Sequence, residues 1–131
     1  MTAPKFAVTE KIQMKDTVAV AIVDPRDGSP AGLHITVAGR YSPQGKAAQL
    51  ALAESARAEK DAASAASWDA RLLSLVTGCT VAWDALDVDG KAIPCTAENV
   101  RALYDGAPWI REQVQAHYLD TARFFESAKA S

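Results

Sequence analysis

Thr17-Val-Ala-Val-Ala-Ile-Val23 and Leu33-His-Ile-Thr-Val-Ala-Gly39 decide the fold. In the first, Val18, Val20 and Ile22 alternate with the small Ala19 and Ala21. In the second, Leu33, Ile35 and Val37 alternate with His34, Thr36 and Ala38. Period-two alternation of β-branched residues is the mark of a half-buried strand. Between them lies Asp24-Pro-Arg-Asp-Gly-Ser-Pro-Ala31, dense in turn formers. The pair reads as a β-hairpin with a long exposed tip. A lone hairpin is marginal in water, so its six large apolar residues must pack on something.

Downstream, the period changes. Ser42-Pro43 is a helix start, a hydroxyl cap followed by proline at the first helical position. From Lys46 to Ala66 the chain is mostly alanine, helical by propensity, with only Leu50 and Leu52 large and apolar. Trp68, Leu72, Leu75 and Val76 then fall on one helical face, widened by Leu73, and Gly78 sits where a helix ends. One long helix, or two broken near Ser64 or Ser67, both satisfy this pattern. Residues 79–95 read as irregular. Thr96 caps a short helix carrying Val100, Leu103 and Tyr104, and Pro108 opens a last one with Ile110, Val114, Tyr118, Thr121 and Phe125 in a stripe. Trp68, Leu72, Leu75, Val100, Leu103, Ile110, Val114 and Phe125 are expected to form one cluster.

The expected fold class is α+β: an N-terminal β-hairpin, or small antiparallel sheet, packed on a mostly α-helical C-terminal body. Residues 1–15 read as an unpatterned lead-in with room to move. Residues 16–131 read as one domain, with the hairpin over 16–41 and the helical body over 42–131. A chain of 131 residues suits a single domain on the scale of roughly 100–200 residues each. Hydrophobic residues make up 49% and charged residues 23%, a globular composition. A net charge of −2 excludes a broadly basic nucleic-acid binder. No apolar run approaches the ~20 residues of a membrane span, and the start lacks the charged-then-apolar order of a secretory signal. Cys79 and Cys95 make no disulfide framework, so a reducing cytoplasm is the expected compartment.

No assembled catalytic, cofactor or metal set is read from the chain. Asp87-Val-Asp-Gly90 resembles part of a calcium loop. Placing Gly90 at the loop's glycine puts Ala85 and Thr96 at the anchor positions, where carboxylates are required. Neither cysteine belongs to a close Cys/His pair of the zinc kind, and glycine-rich phosphate loops are absent. Trp68, Trp83 and Trp109 suit core and rim packing. Trp83, placed in the irregular segment, is also the first choice for anchoring a partner, since tryptophans often do so at interfaces. Trp109, Leu50 and Leu52 complete the candidate partner-binding residues.

From Trp68 onward the order of features resembles a known family. Leu72-Leu-Ser-Leu-Val-Thr-Gly78 ends a helix, and a tryptophan turn and Asp87-Val-Asp-Gly-Lys-Ala-Ile-Pro94 follow. Then come Thr96-Ala-Glu-Asn-Val-Arg-Ala-Leu-Tyr104, Pro108-Trp-Ile-Arg-Glu-Gln-Val114 and Phe124-Phe125. Together with the hairpin, these resemble the small tail assembly chaperones of long-tailed bacteriophages over roughly residues 16–126. The resemblance implies a non-enzymatic role without cofactors, in the host cell cytoplasm. Such a protein coats the helical tape measure protein before the tail tube forms around it, and helps to recruit the tail tube protein. A frameshifted, extended form accompanies the short one in many phages. Nucleic acid and membranes are not among the implied partners, and self-association is left open. A structural virion protein, such as a tail completion or minor tail component, is the alternative reading. A small cysteine-dependent enzyme using Cys79 or Cys95 is a further one.

Overall fold

The structure, a computed structural model, describes residues 4–58 and 65–127. The hairpin forms as its alternation requires. β2 (Thr17–Val23) and β3 (Pro30–Ala38) pair antiparallel, with Val18 opposite Val37, Val20 opposite Ile35 and Ile22 opposite Leu33. Val20, Ile22, Ile35 and Val37 are buried, and Val18 and Leu33 are half-buried against them. Ala19, Ala21 and His34 stand exposed on the other face, as expected of an antiparallel sheet covered on one side. At the tip, Gly28 takes a φ of 77°, and its amide donates to the Asp24 carbonyl.

The hairpin gains a third strand. β4 (Thr80–Trp83) lies within the stretch expected to be irregular and pairs with β3, setting Ile35 opposite Trp83 and Thr36 opposite Ala82. Thr80-Val-Ala-Trp83 is β-branched and aromatic, but too short to show an alternation. The lead-in also forms elements: α1 (Ala7–Lys11), then β1 (Ile12–Met14), which pairs with β5 (Phe125–Ser127). Residues 1–3 lie outside the described residues.

Two helices follow β3. Ser42 caps α2 (Pro43–Ala58): its hydroxyl accepts the Gly45 amide at 3.0 Å and donates to the Gly39 carbonyl at 2.7 Å. α3 (Ala65–Cys79) packs back along it. The Gln44 side-chain amide donates to the Gly78 carbonyl, and Leu52 and Ser55 lie beside Ala70 and Arg71. A Cβ added to Gly78 would sit 3.2 Å from the Ala48 methyl, so small side chains set this close approach. The break suggested near Ser64 falls outside the described residues, and Ser67 lies within α3.

The buried face of α3 differs from the expected one. Leu73, Val76 and Thr77 are buried, Leu72 and Leu75 are half-buried, and Trp68 is 66% exposed. The face is rotated by one residue and takes in Thr77, whose hydroxyl is buried without a partner among the described residues. Just beyond α3, the Thr80 hydroxyl donates to the Val76 carbonyl and pairs with the Tyr104 hydroxyl, both at 2.7 Å. A reading that counts only large apolar residues misplaces such a face.

α4 (Ala97–Gly106) starts at Thr96, whose hydroxyl accepts the Asn99 amide, and buries Val100 and Tyr104. α5 (Pro108–Leu119) buries Ile110, Val114 and Tyr118. It stops earlier than the stripe through Phe125 suggests. A 3-10 turn over Thr121–Phe124 follows, and the chain leaves as β5. Phe124, not Phe125, is therefore the deeply buried ring. It rests on Gly39, where an added Cβ would come within 2.7 Å of its Cδ1. Phe125 is half-buried and meets Tyr41 edge-on. The core is one cluster between the inner sheet face and α3, α4 and α5, with Leu103 and Leu75 packed on its rim.

Candidate partner-binding groove

An apolar hollow of about 570 Å³ lies at one end of the sheet. Leu33 of β3, Trp83 of β4 and Leu103 of α4 line it. Leu86 and Ile93 close it from the turn after β4, and Asn99 adds a polar group. That turn is held by its own chemistry. The Asp87 carboxylate accepts the Asp89 and Lys91 amides at 2.8 and 2.9 Å, Gly90 takes a φ of 82°, and Leu86 bridges to Ala92. Asp87 thus organises a turn, and no group of three or more metal-ligating side chains occurs among the described residues. The Asn99 side chain donates to the Pro94 carbonyl, which fixes the start of α4 to the end of the turn.

Trp83 is half-buried in this groove rather than free in an irregular loop. Its strand pairs with β3, and its indole N–H donates to the Ile93 carbonyl at 2.7 Å. It therefore pins the turn as well as lining the groove. Trp109, 39% exposed, lines a smaller hollow with Asp24, Pro25 and Arg26. Ala31 borders both hollows, so the two tryptophans flank the same end of the hairpin. Leu50 is exposed on α2 and Leu52 is half-buried against α3, on a surface separate from the groove. The four candidate residues are thus divided between surfaces.

The sequence reading missed Leu86 and Val88. Leu86 is 61% exposed at the groove's edge, and Val88 is fully exposed at the tip of the adjoining turn. The signal for Val88 was legible: in Asp87-Val-Asp-Gly90 a large aliphatic side chain stands where a turn ordinarily carries polar residues.

The thiols sit in environments unlike those of nucleophiles. Cys79 is fully buried, and burial pushes its thiol up to about 11. Burial also raises Cys95. A nucleophilic cysteine needs the thiolate favoured, by a helix start or a neighbouring cation. The histidines are engaged elsewhere: His34 Nδ1 meets Asp84 Oδ2 at 2.8 Å, and His117 Nδ1 meets the Gln113 carbonyl at 3.0 Å. No described helix is long and apolar enough to cross a membrane. Comparison with models of protein families, with curated proteins and with solved structures finds no match to this chain.

Proposed function

We propose that this chain is a bacteriophage tail assembly chaperone, acting in the host cytoplasm, that holds an apolar-striped helical segment of a tape measure protein until the tail tube encloses it. The observation that carries this reading is the groove beside Trp83, apolar along its floor and edged by the exposed Leu86. Amphipathic helices are bound in this way, by apolar anchors laid into a groove between polar rims. The resemblance of residues 68–125 to such chaperones supports the same reading, and α4, with the turn before it, falls within that stretch. A client that must later be released calls for a contact of limited size rather than a permanent interface.

Co-expression with the neighbouring tail proteins tests it. The long helical partner should stay soluble with this chain and aggregate without it. Leu86→Asp, on an exposed side chain, should abolish this protection while leaving the chain folded. Equal aggregation with and without the chain overturns the reading. Recovery of the chain in purified mature particles would favour the virion-component alternative instead.

A further inference from the structure

The outer edge of β2 is closed at both ends and open between them. The Gly39 amide donates to the Asp16 carbonyl at 2.8 Å, one step before Thr17 pairs with Ala38. Bonded and non-bonded pairs alternate along an antiparallel ladder. Asp16, Val18, Val20 and Ile22 therefore turn their backbone groups toward β3, and Thr17, Ala19 and Ala21 turn theirs away. β2 is an edge strand, so these groups point out of the sheet. At one end of the edge, the Lys15 amide donates to the Phe124 carbonyl at 2.6 Å. At the other, beyond a register shift, both backbone groups of Val23 are taken by the side-chain amide of Gln113. Between these closures Thr17, Ala19 and Ala21 are exposed. Their outward amides and carbonyls have no partner among the described residues.

Sheet edges are ordinarily blunted with lysine, proline, a bulge or a covering segment. The stretch from Thr17 to Ile22 carries no charge and no proline, and its register is regular. We infer that this edge pairs with the same edge of a second copy of the chain, antiparallel and two-fold symmetric about Ala19. That register sets Ala19 opposite Ala19 and Thr17 opposite Ala21, so every open residue meets an open residue. It ends where each copy's own Phe124 and Gln113 already hold the edge. Centring instead on Val20 or Ala21 would set Thr17 or Ala19 opposite Val23, whose groups are occupied. The side chains beside the seam are methyls and a hydroxyl, so no like charges oppose one another within it. The result is one sheet continuous across both copies. The contact is short, and association is correspondingly concentration-dependent.

Sedimentation of the full chain should show twice its 13.9 kDa mass at high micromolar concentration, and the single mass on dilution. Ala19→Pro removes an amide that the fold does not use, on an edge strand, where proline is tolerated. This variant should remain monomeric at every concentration, with an unchanged far-ultraviolet spectrum. Amide exchange on the unmodified chain gives an independent reading should the variant fail to fold. The Thr17, Ala19 and Ala21 amides should gain protection severalfold in the dimer and lose it on dilution, while Val18 and Val20 stay protected throughout. A chain monomeric at all concentrations, a dimer unaffected by Ala19→Pro, or amides whose exchange ignores concentration would each overturn the pairing.

Discussion

Gln113 pairs with Val23 as a neighbouring strand would. Its side-chain Oε1 accepts the Val23 amide and its Nε2 donates to the Val23 carbonyl, each at 2.9 Å. A side chain from α5 thereby satisfies both backbone groups at the end of an edge strand and ties the helix to the sheet. Both partners are half-buried, so water replaces these bonds incompletely. Gln113→Leu should lower stability by about 1–3 kcal/mol, the penalty for leaving such groups unmatched. Urea unfolding with an unchanged slope and a lower midpoint is the expected result.

Gln113 also shows where sequence reading stops. It belongs to the apolar-striped helix that the spacing of Ile110, Val114 and Tyr118 makes plain, yet nothing in the chain says that its amide reaches ninety residues back to Val23. The hairpin was legible because β-branched residues alternate in both arms and one face had to be covered. The third strand was not, since four residues hold too few alternations to separate strand from loop. The pairing of β1 with β5 joins chain segments that carry no shared pattern. At the groove, Trp83 lies on a strand paired with β3, where the sequence suggests an irregular segment. Val88, within the Asp87-Val-Asp-Gly90 turn, carried a clearer signal of exposure.

The rotation of α3 gives a direct contrast among neighbours. Leu73 is 6% exposed and sits in the core, whereas Leu72 is half-buried and Trp68 largely exposed. Leu73→Ala should lose ~2–5 kcal/mol. Leu72→Ala should lose clearly less, and Trp68→Ala should stay within about 0.5 kcal/mol, as surface substitutions usually do. Ile110→Ala, on α5, should match Leu73→Ala. Equal losses at Leu72 and Leu73 would restore the face that the large apolar residues alone suggest.

Stability should fall on the alkaline side. Burial pushes the Cys79 thiol from its ordinary 9.0 up to about 11, and Tyr104 and Tyr118 from 10.0 up to about 12. In the unfolded chain these groups release their protons first, so above pH 9 the unfolded state binds fewer protons than the folded one. Stability is then lost as pH rises, beginning near pH 9 and continuing through 11 and 12. Near neutral pH, well below their ordinary values, these groups contribute almost no slope. Cys79→Ala should remove the earliest part of the loss, whatever its effect on packing at neutral pH. Denaturant midpoints measured from pH 7 to 11 for both proteins would show it, and parallel curves would refute the assignment.

Trp83 and Leu86 separate the groove's part in folding from its proposed part in binding. Trp83 is half-buried between β3 and the turn, and its indole N–H holds the Ile93 carbonyl. Trp83→Ala should therefore weaken folding by ~2 kcal/mol or more, toward the range of large-to-alanine core changes, and so cannot report on binding by itself. Trp83→Phe keeps most of the ring's packing but leaves Ile93 without its donor, and should lose about 1 kcal/mol. Leu86 and Val88 are exposed, so Leu86→Asp and Val88→Asp should leave the denaturant midpoint near that of the parent chain. If the groove receives an apolar helix, Leu86→Asp places a charge against its apolar stripe, and affinity should fall at least tenfold. The effect of Val88→Asp should be smaller, because Val88 stands at the turn's tip rather than in the groove wall. Titration of a helical client segment, followed by tryptophan fluorescence, reads both changes. Client binding unchanged in Leu86→Asp, with the fold intact, would move the binding surface away from Trp83 and toward Trp109 or the exposed face of α2 around Leu50.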